Sequence, residues 1–259
     1  MNTIESTAVP AMTAGRLINA YLQEARAECL RYLRNPGFLL PTLLFPSVFY
    51  VMFGIFLAHS NSADAPRYLL ASYGTFGVMA PGLFGFGVSL ALERDTGLLT
   101  LKRALPMPPG AYLIGKMCMA VLVAAIISII LLCLATFVAG VSLPASRIAA
   151  FFVLQVLGVL PFCALGLLIG TLVKGQGAPG VVNLIYLPMA FLSGLWIPLP
   201  VLPSFLQSIA PLWPAYHLDR LALSVVDLGE GGDAIHALVL LGFTAVFLLI
   251  ATRRLRRYG

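Results

Sequence analysis

Charge is what this 259-residue sequence most lacks: Asp, Glu, Lys and Arg supply 10% of it, against 60% apolar residues. A soluble domain carries about 25% charged residues. The polar coat of a water-facing globule is therefore missing, and a separate soluble catalytic domain with it. Histidine is scarce too. His59, His217 and His236 stand isolated in sequence, with no ligand pair at helical spacing, which argues against a metal centre. The four cysteines, Cys29, Cys118, Cys133 and Cys163, show no CxxC spacing and read as small buried hydrophobes, not as disulfides or metal ligands. The first residues lack the charged-then-apolar pattern of a cleaved leader, so no processing is expected, and residues 1–14 read as a flexible N-terminus.

Long apolar runs are what the sequence does have. About 20 apolar residues cross a ~30 Å hydrocarbon core as a helix. Phe38–Ala58, Tyr68–Leu92, Tyr112–Ala139, Ile148–Val173 and Ala234–Thr252 meet that length, and Gly180–Leu199, with Pro188 and Pro198, makes a sixth. Their central stretches are free of Asp, Glu, Lys and Arg, each of which costs about 2.5–3.5 kcal/mol at a helix centre. The expected fold is an all-α membrane domain of six spans over residues 37–259. If both termini face the cytoplasm, thirteen basic residues lie inside and three (Arg67, Arg147, Arg220) outside, the asymmetry of the positive-inside rule. The net charge of +6 then faces anionic lipid, and no nucleic-acid partner is implied.

Two segments do not read as simple spans. Residues 15–36 form an amphipathic pattern, with Ile18, Leu22, Ala25, Cys29 and Tyr32/Leu33 on one stripe. Glu24, Glu28 and Arg31 lie off it. With Arg26, Arg31 and Arg34 flanking, this helix is expected in the cytoplasmic interface, as an anchor or as a partner-binding surface. Val201–Pro214, bracketed by prolines, is too short to cross and too apolar for an ordinary loop. It is expected as a short outer-leaflet helix that re-enters the membrane after the fifth span.

Familiar active sites fail on inspection. Gly110 to Lys116 fits GxxxxGK of a phosphate loop, but Met117 stands where a Mg²⁺-binding hydroxyl belongs and prolines precede it instead of a strand. Lys116 reads better as an interfacial lysine opening the third span. Ser193 has no nucleophile elbow around it to support a membrane protease. Small residues such as Gly166 and Gly170 read as helix-packing positions. Gln155 and Asn183 are the strongly polar residues at depth, read as interhelical hydrogen bonds or as lining of a conduit. No internal energy source is visible. If this protein moves something, the work comes from elsewhere.

The informative segment lies between the second and third spans. Leu98, Leu101 and Leu105, with Leu99 beside them, give a short helix an apolar stripe, Lys102 and Arg103 take its other face, and Pro106 ends it. Such a helix suits a soluble partner's groove. Glu93, Arg94, Asp95, Gly97, Leu98, Leu101, Pro106 and Lys116 together resemble the cytoplasmic loop of the ABC type-2 exporter permeases. A second block, Phe191 to Pro198 with Leu202-Pro203 and Ile209 to Pro214, is similar to that family's late signature.

That resemblance implies a half-size membrane subunit of six spans in the cell inner membrane. It implies a working pair, with a second copy or a related permease, and a separate ABC ATPase that binds ATP and Mg; this chain itself is expected to hold no cofactor and to be no enzyme. It further implies a coupling helix at Gly97–Leu105, aided by the Arg16–Arg34 helix, with Glu93, Arg94 and Asp95 as interfacial charges or as a hinge. A hydrophobic or amphipathic drug-like or lipid-like cargo is expected, passing near Gln155, Asn183, Tyr186, Phe191, Ser193 and Trp196. A polysaccharide or lipid-linked glycan is the alternative cargo, and a non-transporting sensor or scaffold the alternative of another class.

Overall fold

The computed structural model describes residues 13–56, 64–104 and 108–258, and among them every regular element is helical. Helix α1 (Ala14–Leu33) leads through Asn35-Pro36 into α2 (Pro36–Phe56). Then come α3 (Ala65–Asp95), the short loop helix α4 (Leu98–Ala104), α5 (Gly110–Val138) and α6 (Ala145–Leu172). The chain closes with α7 (Ala178–Leu192), α8 (Ser204–Ile209), α9 (Pro214–Val225) and α10 (Asp233–Tyr258). Five of these, α2, α3, α5, α6 and α10, are long and apolar enough to cross a membrane.

The sixth expected run departs from prediction. Instead of one helix over Gly180–Leu199 there is a 15-residue α7, followed by turns. Gly194 takes φ +85°, a left-handed turn that a side chain disfavours, and Pro198, Pro200 and Pro203 keep the chain from resuming a helix before α8. Alone, α7 falls short of the ~20 residues a crossing requires.

Helix α3 is the hub: 83% of its most apolar stretch is buried, against 11% for α10 at the periphery. Its middle, Pro81–Val88, winds as a wide π-type turn and meets α6 almost backbone to backbone. A Cβ on Gly166 would lie 2.3 Å from the carbonyl oxygen of Gly82, and one on Gly170 would lie 2.8 Å from that of Gly87. Close packing at Gly166 and Gly170 was legible in the sequence; that they meet glycines of α3 was not. Around this seam, Phe76, Phe86, Phe151, Phe162 and Leu83 form the core, each nearly or fully buried.

Helix α1 forms where expected, and its stripe is shared between the bundle and the outside. Ile18 and Leu22 are exposed, as are Leu30 and Leu33, while Glu28 and Tyr32 are buried against the bundle. Ile18, Leu22 and Leu33 of the stripe point outward, Ala25 and Cys29 are half-buried, and the Glu24–Glu28 edge turns inward to basic partners. The cysteines also divide. Cys163 is buried and Cys29 half-buried, but Cys118 and Cys133 lie on the outer faces of their helices, so only Cys163 fits a core role fully.

Candidate functional site

Where α3 ends, three carboxylates and three cations gather from four segments of chain. Glu24, Glu28 and Arg31 come from α1, Glu93 from α3, Lys102 from α4 and Lys116 from α5. Lys116 is fully buried, yet its ammonium donates to Glu93 Oε1 at 3.0 Å, Glu28 Oε2 at 3.2 Å and Ser89 Oγ at 2.7 Å. Lys102 reaches Glu24 Oε1 at 2.5 Å and Glu28 Oε1 at 2.9 Å. Arg31 pairs with Glu28 at 2.9 Å and with Glu93. The Tyr112 hydroxyl donates to Glu93 Oε2 at 2.6 Å, and both lysines sit over its ring, at 4.7 and 5.1 Å.

The formal charges cancel, three against three, and every charge has a partner. That balance is what makes burial tolerable, since an unpaired ion there would cost several kcal/mol. Burial opposes the charge on Lys102, but its hydrogen bonds to Glu24 and Glu28 outweigh that and raise its pKa above the ordinary lysine value. A cavity of about 210 Å³ opens beside the cluster, between Arg31, Tyr32 and Phe84.

The two residues after Glu93 turn to another neighbour. Arg94 donates to the carbonyls of Thr171 at 2.7 Å and Val173 at 2.9 Å, closing the C-terminus of α6. Asp95 Oδ2 accepts the backbone N–H of Gly175 at 2.6 Å. Three successive side chains thus tie the foot of α3 to α1, α5 and the α6–α7 turn. Gly97, at φ +76°, then makes the turn into α4.

On α4 the expected stripe is split. Leu99 is buried in the core and Leu98 half-buried, while Leu101 is 61% exposed. Lys102 does not join a solvent face; it points into the cluster. Leu105 lies outside the described residues. Arg103 sits within α4, and Arg26 and Arg34 are exposed on and just after α1. The phosphate-loop lookalike also gains an explanation. A Cβ on Gly115 would come 3.1 Å from Glu24 Cγ and one on Gly110 3.0 Å from the Tyr21 hydroxyl, so these glycines seat α1 on α5. Lys116 is no interfacial lysine but the centre of the ion cluster.

Sequence reasoning missed Glu24 and Glu28 as members of this cluster. The available signal was their i, i+4 spacing on α1, which places both carboxylates on one face.

The expected pathway residues are scattered. Asn183 is exposed on α7, whereas Tyr186 is buried, donates to the Phe76 carbonyl at 3.2 Å and packs on Phe76 and Phe84. Phe191 is half-buried beside α8. Gln155 is fully buried on α6 against Gly74, and neither amide atom finds a partner among the described residues, so the expected interhelical hydrogen bond does not form. Ser193 Oγ and Trp196 Nε1 are likewise unpartnered.

Trp196 belongs to a second centre, at the start of α3 and so roughly 35 Å along that helix from Glu93 at 1.5 Å per residue. A cavity of about 570 Å³ opens there, walled by Tyr68, Tyr73, Trp196 and Asp219. Nearby, two of the three histidines read as isolated prove to be paired, His59 lying outside the described residues: His217 Nδ1 lies 2.9 Å from His236 Nδ1, and His217 Nε2 donates to the Pro211 carbonyl at 2.9 Å. No third His, Cys, Asp or Glu completes a metal-binding group among the described residues.

Comparison with known proteins bears on this arrangement. The family model described as "ABC-2 type transporter" matches residues 20–225, which takes in the ion cluster and, of the second centre, Tyr68, Tyr73, Trp196 and Asp219. "Putative transport permease YvfS" of Bacillus subtilis (strain 168) is 28% identical over 239 residues, covering 90% of this chain and 96% of that protein. "Inner membrane transport permease YhhJ" of Escherichia coli (strain K12) is 28% identical over 177 residues, 66% of this chain but 46% of the longer relative. With its apolar crossing helices and a family match over most of its length, this chain belongs to the ABC-2 type transporter family of membrane permeases.

Proposed function

We propose that this chain is the permease subunit of an ATP-driven exporter. In this reading it moves a hydrophobic or amphipathic compound through the inner membrane, powered by a separate ABC ATPase that binds ATP and Mg. It works as a pair, with a second copy or a related permease. Both termini and α4 face the cytoplasm, the side that holds thirteen of the sixteen basic residues. The 193–212 segment completes, with α7, a sixth passage whose α8 lies in the outer leaflet.

The observation that carries the proposal is Leu101, exposed midway along α4 between the buried Leu99 and Lys102, which Glu24 and Glu28 hold. A partner that grips Leu101 from below pulls on α4. Lys102 passes that motion to α1, and Glu93, Arg94 and Asp95 pass it to α3, α5 and the α6–α7 turn. Ion pairs around a buried Lys116 and Glu93 are stiff links, since separating them leaves an unpaired buried charge.

Leu101→Asp tests this directly. Because the side chain is exposed, thermal stability should stay within about 0.5 kcal/mol of wild type. Co-purification of the cognate ATPase, and ATP-dependent efflux from vesicles, should fall at least tenfold. Wild-type efflux from this variant would sink the proposal.

A further inference from the structure

The 570 Å³ cavity at the start of α3 lies in the size range of small-molecule sites, ~300–1,000 Å³. Its walls have an unusual chemistry. Tyr68, Tyr73 and Trp196 supply aromatic surface, and Asp219 supplies a carboxylate that is 3% exposed. Asp219 Oδ1 accepts no hydrogen bond of normal geometry from any described residue, although the nearby Ser72 hydroxyl, itself unpartnered, favours its charged form. A buried acceptor left unpaired costs about 1–3 kcal/mol, more when charged, so such a group is a place where a donor is wanted.

Neighbouring charges do not fill that want. Arg220 follows Asp219 in sequence, but its guanidinium is engaged by Glu230 at 2.9 Å and lies over the Tyr216 ring at 5.2 Å. Glu230 and Asp64 also border the cavity, but both are exposed and paired, Glu230 with Arg220 and Asp64 with Arg67 at 4.0 Å, which leaves Asp219 as the carboxylate without an ion-pair partner. Aromatic faces beside an orphan carboxylate oxygen together favour a cation with an apolar body.

We infer that this cavity binds an amphipathic organic amine, its protonated nitrogen donating to Asp219 and its apolar part lying against Tyr68, Tyr73 and Trp196. As a binding site it stands independently of the export reading; as the cargo site it rests on that reading. The aromatic walls supply area, and Asp219 supplies the preference for charge. Glu230 engages Arg220 directly, so the guanidinium acts on the Asp219 carboxylate only as a neighbouring charge and not as an ion-pair partner.

The probe is dansylcadaverine, a fluorescent primary amine, compared with the neutral analogue in which a hydroxyl replaces the amine. Binding is measured by dansyl emission with the full-length protein in nanodiscs of zwitterionic lipid. The amine should bind at least tenfold more tightly than the alcohol. Asp219→Asn should bring the two within about twofold, with alcohol binding unchanged. Ala65→Trp, which fills the cavity from α3, should weaken both probes. Equal binding of amine and alcohol to wild type, or an undiminished amine preference in the Asp219→Asn protein, overturns the inference. ATP-driven uptake of the amine by vesicles containing the ATPase is the separate arm. Binding without uptake would leave the site standing and remove its role as cargo site.

Discussion

The two ends of α3 bury polar groups in opposite ways. At its foot, Glu93, Glu28 and Lys116 are as enclosed as any core residue, and each is held by two or more partners. At its head, Asp219, Ser193 and Trp196 each keep a polar atom that no described residue satisfies. The first arrangement is closed on itself and is suited to carrying force. The second is incomplete, and incompleteness around a cavity is what a binding site looks like before its ligand arrives.

The comparison predicts opposite responses to truncation. Glu93→Ala leaves Lys116 buried with one carboxylate fewer and should destabilise by about 3–5 kcal/mol, read as a lowered unfolding midpoint in detergent. Combining Glu93→Gln with Lys116→Met should recover much of that loss, since the uncompensated charge is then gone. If Glu93→Ala unfolds like wild type, the cluster is not a structural link.

Between the ends, Gly166→Val pushes a side chain into the Gly82 carbonyl and should cost about 1–3 kcal/mol as overpacking. Because α3 carries both centres, amine binding at its head and ATPase coupling at its foot should weaken together. Loss of one alone would show that the seam does not join them.

Acidity separates the ends further. Burial, opposed by the Ser72 hydroxyl and the Arg220 charge, raises the Asp219 pKa from 3.8 to about 7. Tyr68 faces it from α3. A carboxyl raised in the folded state contributes stability that is complete below its unfolded pKa and lost as pH rises through about 7. Between about pH 5.5 and 7, wild type should therefore lose up to about 2 kcal/mol relative to Asp219→Asn, a difference readable from unfolding midpoints. Over the same interval amine affinity should rise, because the carboxylate form is the one that binds. A flat difference would remove the charge-based account of the cavity.

The smallest effect is expected at Ser193→Ala. Removing an unpaired buried hydroxyl should be neutral or stabilising by up to about 1 kcal/mol, in contrast to any truncation at the foot. A large destabilisation would mean that Ser193 has a partner and that the head of α3 is less open than its geometry implies.

Much of this was legible beforehand. Five apolar runs became helices with ends shifted by only a few residues, since hydrophobic length is a local property that lipid enforces everywhere. Glu93, Arg94 and Asp95 stood out by their charge between spans. The acidic edge of α1 was read only as lying off the stripe, because amphipathicity tells which faces differ, not which neighbour each one meets. Lys116 was misplaced for the same reason: a lysine near a span's start reads as interfacial unless its partners, 23 and 88 residues away in the chain, are known.

The sequence by itself therefore determined that this is a multi-span helical membrane protein, and that its loop after the second apolar run differs from the rest. Composition and run length suffice for that, because each apolar stretch must satisfy its backbone within its own helix. Only the tertiary structure decided that Glu24 and Glu28 of α1 meet Lys102 and Lys116, that Glu93 to Asp95 bind three directions at once, and that Asp219 is left unpaired beside a cavity. Those are pairings between distant parts of the chain, set by how helices dock, and local pattern carries no record of them.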